Sequence, residues 1–369
     1  MKGSNRRSNE RKTESGRNLS IELLRFLFAF VVVMVHTHGL RPENPESYPF
    51  VGGYVAVEFF LILSGYFVVK SAMETNVEPD HCGKAALKLT WKKFCSLFFY
   101  VFFSVILQYS VEAVVRQESL YTTAKNFMYS IFEISLLPMS GIYQTFFVSP
   151  LWYLSSLFLI LPLFQYFLLR FRDFTASIFL TLVPLAIYGH FSVAYGELDK
   201  WNIWYGFFYI GTLRVLAGLS VGGLCFFGVS ALKKLTFTKA ARFLIAFFQI
   251  LLLGAVLFIC YGKAHSRADF ILVVMISLFL ILTLSEQSAL YKVVRFRACS
   301  FLGKLSVPLF ISHWAVRRLV PYLMPEASYG EMLPVYLLAS VMLAVFLLLL
   351  KTWLDKRQIG DSVKKYFIR

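Results

Sequence analysis

Long apolar runs, separated by short polar and basic stretches, fill the chain from residue 19 onward. A helix that crosses a membrane needs about 20 mostly apolar residues, and ten runs reach that length. We therefore predict an all-α, polytopic integral membrane protein with no soluble domain. The predicted spans are 19–40, 52–71, 93–115, 150–169, 176–194, 206–229, 242–261, 268–285, 302–323 and 333–354.

The stretch 126–149 is also apolar, but Pro138, Gly141 and Pro150 interrupt it. Because such residues break a continuous helix, we predict an interfacial or re-entrant segment here. An eleventh span is the alternative. It would invert all later spans and distribute the basic loops over both sides of the membrane, which argues against it.

The distribution of basic residues predicts the orientation of the chain. Most of the 37 lysines and arginines fall in the N-terminal arm, in the loops after spans 2, 4, 6 and 8, and in the C-terminal tail. With an even number of spans these segments share one side, which the positive-inside rule assigns to the cytoplasm. We predict a multi-pass protein of the cytoplasmic membrane with both termini cytoplasmic. A disordered basic arm at 1–18 and a basic tail at 356–369 flank the membrane domain at 19–355.

The net charge of +16 would suggest nucleic acid binding in a soluble protein. Here the basic residues lie between apolar runs, so we assign them to contacts with anionic membrane lipids and predict no nucleic acid partner. The five cysteines form no close-spaced pair, so neither a disulfide framework nor a cysteine zinc site is predicted. We predict no metal site.

Ionisable side chains within a bilayer are costly unless paired, which makes each a candidate for function. Arg25 and His36 are eleven residues apart in span 1. They therefore lie on one helix face, about 16 Å apart along the axis. Glu58 lies in span 2 at a depth comparable to that of His36. We predict a pair in which His36 is a general base and Glu58 orients it.

Other intramembrane polar residues permit two interpretations. His36 alone could simply form a hydrogen bond across the helix bundle. Arg214 in span 6 and His313 in span 9 fit structural and functional roles equally well. Ser64 is suited to close helix packing. Lys92 and Lys93 begin span 3 at the predicted cytoplasmic face, a position that topology alone explains.

Five short blocks follow one another along the chain. They are RFLFAFVVVMVH (Arg25–His36), AVEFFLILSGYF (from Ala56), SPLWYLSSLF (Ser149–Phe158), RVLAGLSVGGLCFFG (from Arg214) and FLGKLSVPLFISHW (Phe301–Trp314). In content and order they resemble the membrane-bound acyltransferase-3 family, whose members include O-acetyltransferases of bacterial surface polysaccharides. Two positions depart from the family's pattern. Glu58 stands where Asp is usual, and the family's Arg-x-x-Arg-x-x-Pro is represented by Lys93, Ser96 and Phe99.

The resemblance implies a transmembrane O-acyltransferase that moves an acyl group, typically acetyl, from cytoplasmic acyl-CoA to a hydroxyl of a cell-surface glycan or lipid-linked saccharide. Acyl-CoA would be a donor substrate, with no bound cofactor. His36 and Glu58 would be catalytic, either by direct transfer or through an acyl-histidine. The implied phosphate-binding residues are Arg25, Lys92, Lys93 and Arg214, and the implied supporting residues are Ser64, Trp152 and His313.

Two other classes of function fit the same residues. A transporter or flippase could use Arg25, His36 and Glu58 as an ion or substrate relay, although no internal repeat is visible. A structural membrane protein could use the same groups only to fix helix register. Hydrolysis of acetyl-CoA by purified protein would separate an enzyme from both.

Overall fold

The computed structural model describes residues 18–40, 48–143, 147–263, 265–294 and 296–357, and this part of the chain is mostly helical. The principal helices are α1 (Leu19–Val35), α2 (Ala56–Glu74), α3 (Cys82–Val115), α4 (Leu120–Ile134), α5 (Leu151–Arg170), α6 (Leu180–Ala194), α7 (Ile210–Lys233), α8 (Lys239–Gly262), α9 (Ala268–Leu284), α10 (Arg297–Leu323) and α11 (Tyr329–Lys356).

Short elements join these helices. There are 3₁₀ turns at His36–Leu40, Gly53–Val55, Pro79–His81 and Pro138–Ser140, and the short helices Arg172–Phe174 and Leu290–Val293. A π-helical turn, Thr175–Phe179, leads into α6, and the antiparallel strands β1 (Trp204–Tyr205) and β2 (Phe208–Tyr209) precede α7. The predicted basic arm at 1–18 and tail at 356–369 lie outside the described residues, apart from Asn18, Lys356 and Arg357.

Within the described ranges, nine helical segments are long and apolar enough to cross a membrane, and α9 is a shorter apolar helix of 17 residues. They correspond to the ten predicted spans and confirm the all-α, polytopic class. Some predicted boundaries are wrong. α3 begins at Cys82 rather than at residue 93, because a polar helical extension precedes its apolar part. α7 begins at Ile210 rather than at residue 206, because the β1–β2 hairpin occupies residues 204–209.

The interrupted stretch before α5 contains α4, whose 15 residues are too few to cross a bilayer. The prediction of a non-spanning segment at 126–149 is therefore confirmed for its described part. The buried carboxylate of Glu133, near the end of α4, accepts hydrogen bonds from the Tyr109 hydroxyl (2.7 Å) and from the backbone N–H groups of Phe147 (2.6 Å) and Val148 (3.1 Å). These bonds fix the chain that leads into α5.

Helix packing does not follow the order of the chain at its start. α1 packs most extensively against α10, and α2 packs most extensively against α7, whereas the contact between α1 and α2 is small. Glycines permit the α2–α7 contact. A Cβ atom on Gly65 would lie 2.1 Å from the Leu219 carbonyl oxygen, and one on Gly222 would lie 2.1 Å from the Ile62 carbonyl oxygen. This crossing, within the main hydrophobic core, brings the two backbones together as small residues do in membrane bundles.

Candidate active site

Two cavities in the described part of the bundle contain predicted site residues. The Arg25 cavity, with a volume of about 400 Å³, includes Arg25 and Lys93 in its lining. The His36 cavity, with a volume of about 200 Å³, includes His36 and Arg214. Since Arg25 and His36 are separated by about 16 Å along the first span, the cavities lie toward opposite ends of that span.

His36 forms a histidine pair with His313 of α10. The two side-chain nitrogens, His36 Nδ1 and His313 Nε2, are 2.9 Å apart, and the rings are stacked with centroids 5.0 Å apart. His313 is fully buried, and its Nδ1 lies 3.0 Å from the carbonyl oxygen of Leu309. The close packing of α1 against α10 produces this contact between residues that are far apart in sequence.

The hydrogen bonds of the pair assign its tautomers. The Leu309 carbonyl can only accept, so His313 Nδ1 carries the proton in that bond. In a neutral His313 the other nitrogen, Nε2, is then an acceptor, and His36 Nδ1 must be the donor. A neutral His36 is therefore protonated at Nδ1 and retains the lone pair of Nε2. This is the protonation state that a general base requires.

The backbone and ring of His36 are also held in place. The Arg317 guanidinium donates from Nε to the His36 carbonyl oxygen at 3.1 Å, and its Nη2 lies 2.9 Å from His38 Nε2. The Trp314 ring packs edge-on against the His36 ring, with centroids 4.9 Å apart. These contacts restrict the orientation of the imidazole before any ligand binds.

Glu58 forms a second buried pair, with Arg214. Arg214 donates from Nε to Glu58 Oε1 at 2.6 Å, and the Tyr188 hydroxyl donates to Glu58 Oε2 at 2.8 Å. The remaining Arg214 nitrogens donate to the carbonyl oxygens of Leu198 and Tyr54, both at 3.1 Å. Both side chains of the ion pair are fully buried. Every polar end of the pair thus has a partner, and the pair ties α2 to α6, α7 and the segment before α7.

The predicted His36–Glu58 pair is therefore wrong in its partners. The prediction assumed that consecutive spans pack against each other, but α1 faces α10 and α2 faces α7. His36 is oriented by a second histidine, and Glu58 neutralises Arg214. Arg214 does not join Arg25 and Lys93 in one cavity, because its guanidinium lies at the His36 cavity and is held by Glu58.

The segment 195–203 forms one wall of the His36 cavity. The Asp269 carboxylate of α9 accepts from the Leu198 N–H at 2.9 Å and from the Tyr54 hydroxyl, which fixes this segment. Two of its residues, Asp199 and Trp201, line the cavity. Burial raises the pKa of the Asp199 carboxyl above its usual range, while the nearby Arg214 guanidinium acts in the opposite direction.

Aromatic rings form much of the same cavity. Trp152 of α5 is nearly parallel to Trp201, with ring centroids 5.7 Å apart. The Arg214 guanidinium carbon lies 5.3 Å from the centre of the Trp152 ring. Trp314 also lines the cavity. The base at His36 thus faces a small space bounded by indole rings and one carboxylate.

The Arg25 cavity has a basic lining. Among the described residues its charged side chains are four basic ones and two acidic ones: Arg25, Lys70, Lys93, Lys233, Glu22 and Glu286. Glu22 forms an ion pair with Arg25 at 3.3 Å. Ser64 and Tyr153 also line this cavity. Lys92 is exposed and does not line the cavity.

Sequence reasoning did not identify Lys70 and Lys233 as cavity residues, although both belong to basic groups at the predicted cytoplasmic ends of spans. That shared location was the available signal. No signal in the sequence predicted the contact between His36 and His313, because one sequence does not report which spans are neighbours. Among the described residues, no group of three or more His, Cys, Asp or Glu side chains is placed to hold a metal ion.

Comparison with curated proteins and with solved structures gives no match. The family model described as an acyltransferase domain matches residues 18–353, which include both cavities and nearly the whole described chain. That match agrees with the five sequence blocks and with the helical architecture, and the chain accordingly belongs to the acyltransferase-3 family of membrane acyltransferases.

Proposed function

We propose that this membrane acyltransferase transfers an acyl group, typically acetyl, from cytoplasmic acyl-CoA to a hydroxyl of an extracytoplasmic cell-surface glycan or lipid-linked saccharide. The observation that carries the proposal is the His36–His313 pair, which leaves His36 Nε2 as an acceptor at a small cavity. The proposal places the Arg25 cavity on the cytoplasmic side and both termini in the cytoplasm, in accord with the positive-inside rule.

The donor would bind in the Arg25 cavity. Its phosphates carry several negative charges, and the lining offers four basic side chains against two acidic ones. Arg25 and Lys93 are the predicted phosphate ligands that line this cavity, and Lys70 and Lys233 are added to them. Lys92 adds positive charge close by. Arg214 has no part in phosphate binding in this proposal, because it lines the His36 cavity and its guanidinium is held there by Glu58 and two backbone carbonyls.

The acyl end of the donor would extend toward His36. An extended pantetheine arm can cover the distance of about 16 Å that separates Arg25 from His36 along the helix. One helix would then support both the phosphate end and the reacting end of the donor. This arrangement avoids moving the whole charged coenzyme across the bilayer, which would be costly.

In the reaction, the acceptor hydroxyl would donate its proton to His36 Nε2 while its oxygen attacks the thioester carbonyl carbon. Collapse of the tetrahedral intermediate breaks the C–S bond, and the departing thiolate receives the proton from His36. His313 accepts the hydrogen bond from His36 Nδ1 throughout, and so it keeps the base in the required tautomer. A positioned general base contributes about 10²–10⁴-fold to a rate.

The lining of the His36 cavity supports a saccharide as acceptor. Sugars present apolar C–H faces, which pack on aromatic rings, and hydroxyl edges, which hydrogen-bond to carboxylates. The indole rings of Trp152, Trp201 and Trp314 and the carboxyl group of Asp199 supply both kinds of surface. Glu58 acts in this proposal as a positioning residue that holds Arg214 at the cavity.

The decisive experiment measures acetate release and transfer from radiolabelled acetyl-CoA by purified protein in lipid, with and without cell-envelope glycans. We expect turnover by the wild type and a loss of about 10²–10⁴-fold in His36→Ala. His81→Ala is the matched control, because His81 is exposed and lines neither cavity, and we expect its turnover to remain that of the wild type. Equal turnover by His36→Ala and wild type would contradict the proposal. A transporter would release no acetate with any glycan.

A further inference from the structure

One aromatic side chain separates the two cavities. Among the described residues, Phe310 of α10 is the sole residue that lines both the Arg25 cavity and the His36 cavity. Its side chain is only 6% exposed, so it fills the space between them rather than facing an open passage.

Two further rings enclose Phe310. The Phe60 ring of α2 lies 5.7 Å from the Phe310 ring, and the Tyr153 ring of α5 lies 5.8 Å from it, measured between centroids. Phe60 and Tyr153 line the Arg25 cavity but not the His36 cavity. These three rings, which we call the aromatic barrier, therefore narrow the way from the Arg25 cavity to the His36 cavity.

Helix geometry places Phe310 of the aromatic barrier next to the His36–His313 pair. Phe310 precedes His313 by three residues on α10, so the two side chains are neighbours on one helix face. His313 in turn contacts His36. An acyl thioester that approaches His36 from the Arg25 cavity must therefore pass the Phe310 ring immediately before it reaches the reacting pair.

We propose that Phe310 is the specificity-determining residue of this acyltransferase, and that its ring limits the length of the acyl group that reaches His36. The inference rests on the proposed function, and the chemistry is the transfer step already described. Carbons beyond the acyl carbonyl must occupy the barrier or the His36 cavity of about 200 Å³, where the acceptor must also fit. An acetyl methyl group needs little of that space, whereas a longer chain competes with the ring and with the acceptor.

Deletion of the ring should join the two cavities. Phe310→Ala is expected to raise the ratio of hexanoyl-CoA turnover to acetyl-CoA turnover by about tenfold or more, since each methylene accommodated in an apolar pocket is worth about 10–200-fold. Phe310→Leu, which disturbs folding less, is expected to raise the same ratio to a smaller extent. Phe310→Trp should lower it.

Phe164→Ala is the matched control, because Phe164 is 1% exposed in the main core and lines neither cavity. It makes the same deletion in a comparable environment, so a general loss of stability would affect both variants. We expect its hexanoyl-to-acetyl ratio to remain that of the wild type. An unchanged ratio in both Phe310→Ala and Phe310→Leu would overturn the proposal, and so would an equal rise in Phe164→Ala.

A binding measurement distinguishes failure of this inference from failure of the proposed function. Non-reactive thioether analogues of acetyl-CoA and hexanoyl-CoA are titrated against wild type and Phe310→Ala by calorimetry. The expected result is tighter binding of the hexanoyl analogue to Phe310→Ala and little change for the acetyl analogue. If both analogues bind but their relative affinity is the same in the two proteins, the barrier is refuted and the donor site stands. If neither analogue binds the wild type, the donor site itself is refuted, and the barrier with it.

Discussion

The two buried pairs differ in what they leave unsatisfied. Glu58 and Arg214 have partners at every polar end and no exposed surface. His36 and His313 are similarly close, but their chain of hydrogen bonds uses His36 Nδ1 and includes no partner for His36 Nε2 among the described residues. The first pair is closed and the second is open at one end. Within a bilayer, an open end at a cavity indicates chemistry, whereas a closed network indicates architecture.

The closed pair should have the largest effect on stability when it is broken. Arg214→Leu leaves the Glu58 carboxylate buried without its counter-charge, which we expect to cost about 3–5 kcal/mol of unfolding free energy. The measurement is denaturant titration in detergent. Asp355→Asn is the control, because the Lys351–Asp355 pair is surface-exposed and should contribute less than about 1 kcal/mol.

The double variant Arg214→Leu with Glu58→Leu sharpens this test. Replacement of a buried ion pair by apolar residues is often neutral, so we expect the second substitution to recover much of the stability lost in the first. A double variant less stable than Arg214→Leu alone would mean that Glu58 has stabilising contacts beyond the ion pair. The hydroxyl of Tyr188 is the first candidate for such a contact.

The open pair should respond in turnover rather than in folding. His313→Leu removes the acceptor for His36 Nδ1, and we expect kcat to fall about 10–100-fold, the loss seen when a metal-ligating histidine loses its orienting partner. His313→Gln retains a side-chain oxygen acceptor and should recover part of that loss. The pH profile of kcat is the second readout. It should change in His313→Leu if His313 sets the protonation of His36, whereas a merely structural contact would leave it unchanged. Equal kcat values in His313→Leu and wild type would make the contact merely structural.

The smallest expected effect tests the crossing that supports the closed pair. Gly222→Ala places a methyl group 2.1 Å from the Ile62 carbonyl oxygen, so α2 and α7 must move apart. We expect a loss of about 1–3 kcal/mol. Gly254→Ala is the matched control, since no atom lies within 4 Å of its added methyl group. It should gain up to about 1 kcal/mol from reduced backbone entropy. Equal changes in the free energy of unfolding for Gly222→Ala and Gly254→Ala would mean that the α2–α7 crossing does not limit stability.

Much of the fold could be predicted because the bilayer imposes a strong pattern on the sequence. Ten apolar runs matched ten helices, and the breaks at Pro138 and Gly141 correctly excluded a span before α5. Helix ends were less predictable. The first turns of α3, in which Lys84 and Lys88 interrupt the apolar residues, extend beyond the region that hydropathy detects.

The residues of the two buried pairs and some of those of the Arg25 cavity could be singled out from the sequence as candidates, but their partners could not. Arg25, His36, Glu58 and Arg214 were identifiable because ionisable residues are rare and costly in apolar segments. Their pairing depends on which helices are neighbours, and neither α1 and α10 nor α2 and α7 are consecutive in the chain. Phe310 carried no signal at all, because a phenylalanine in an apolar helix is unremarkable until the two cavities on its sides are seen.

The chain of hydrogen bonds behind His36 has a bioenergetic consequence. It runs from His36 through His313 and ends at the Leu309 backbone carbonyl, which cannot pass a proton onward. In the proposed reaction a proton taken up at Nε2 leaves from the same nitrogen, so acyl transfer would move no net charge across the membrane. Acyl transfer would be isolated from the proton-motive force, so collapsing the gradient in proteoliposomes with an ionophore should leave its rate unchanged.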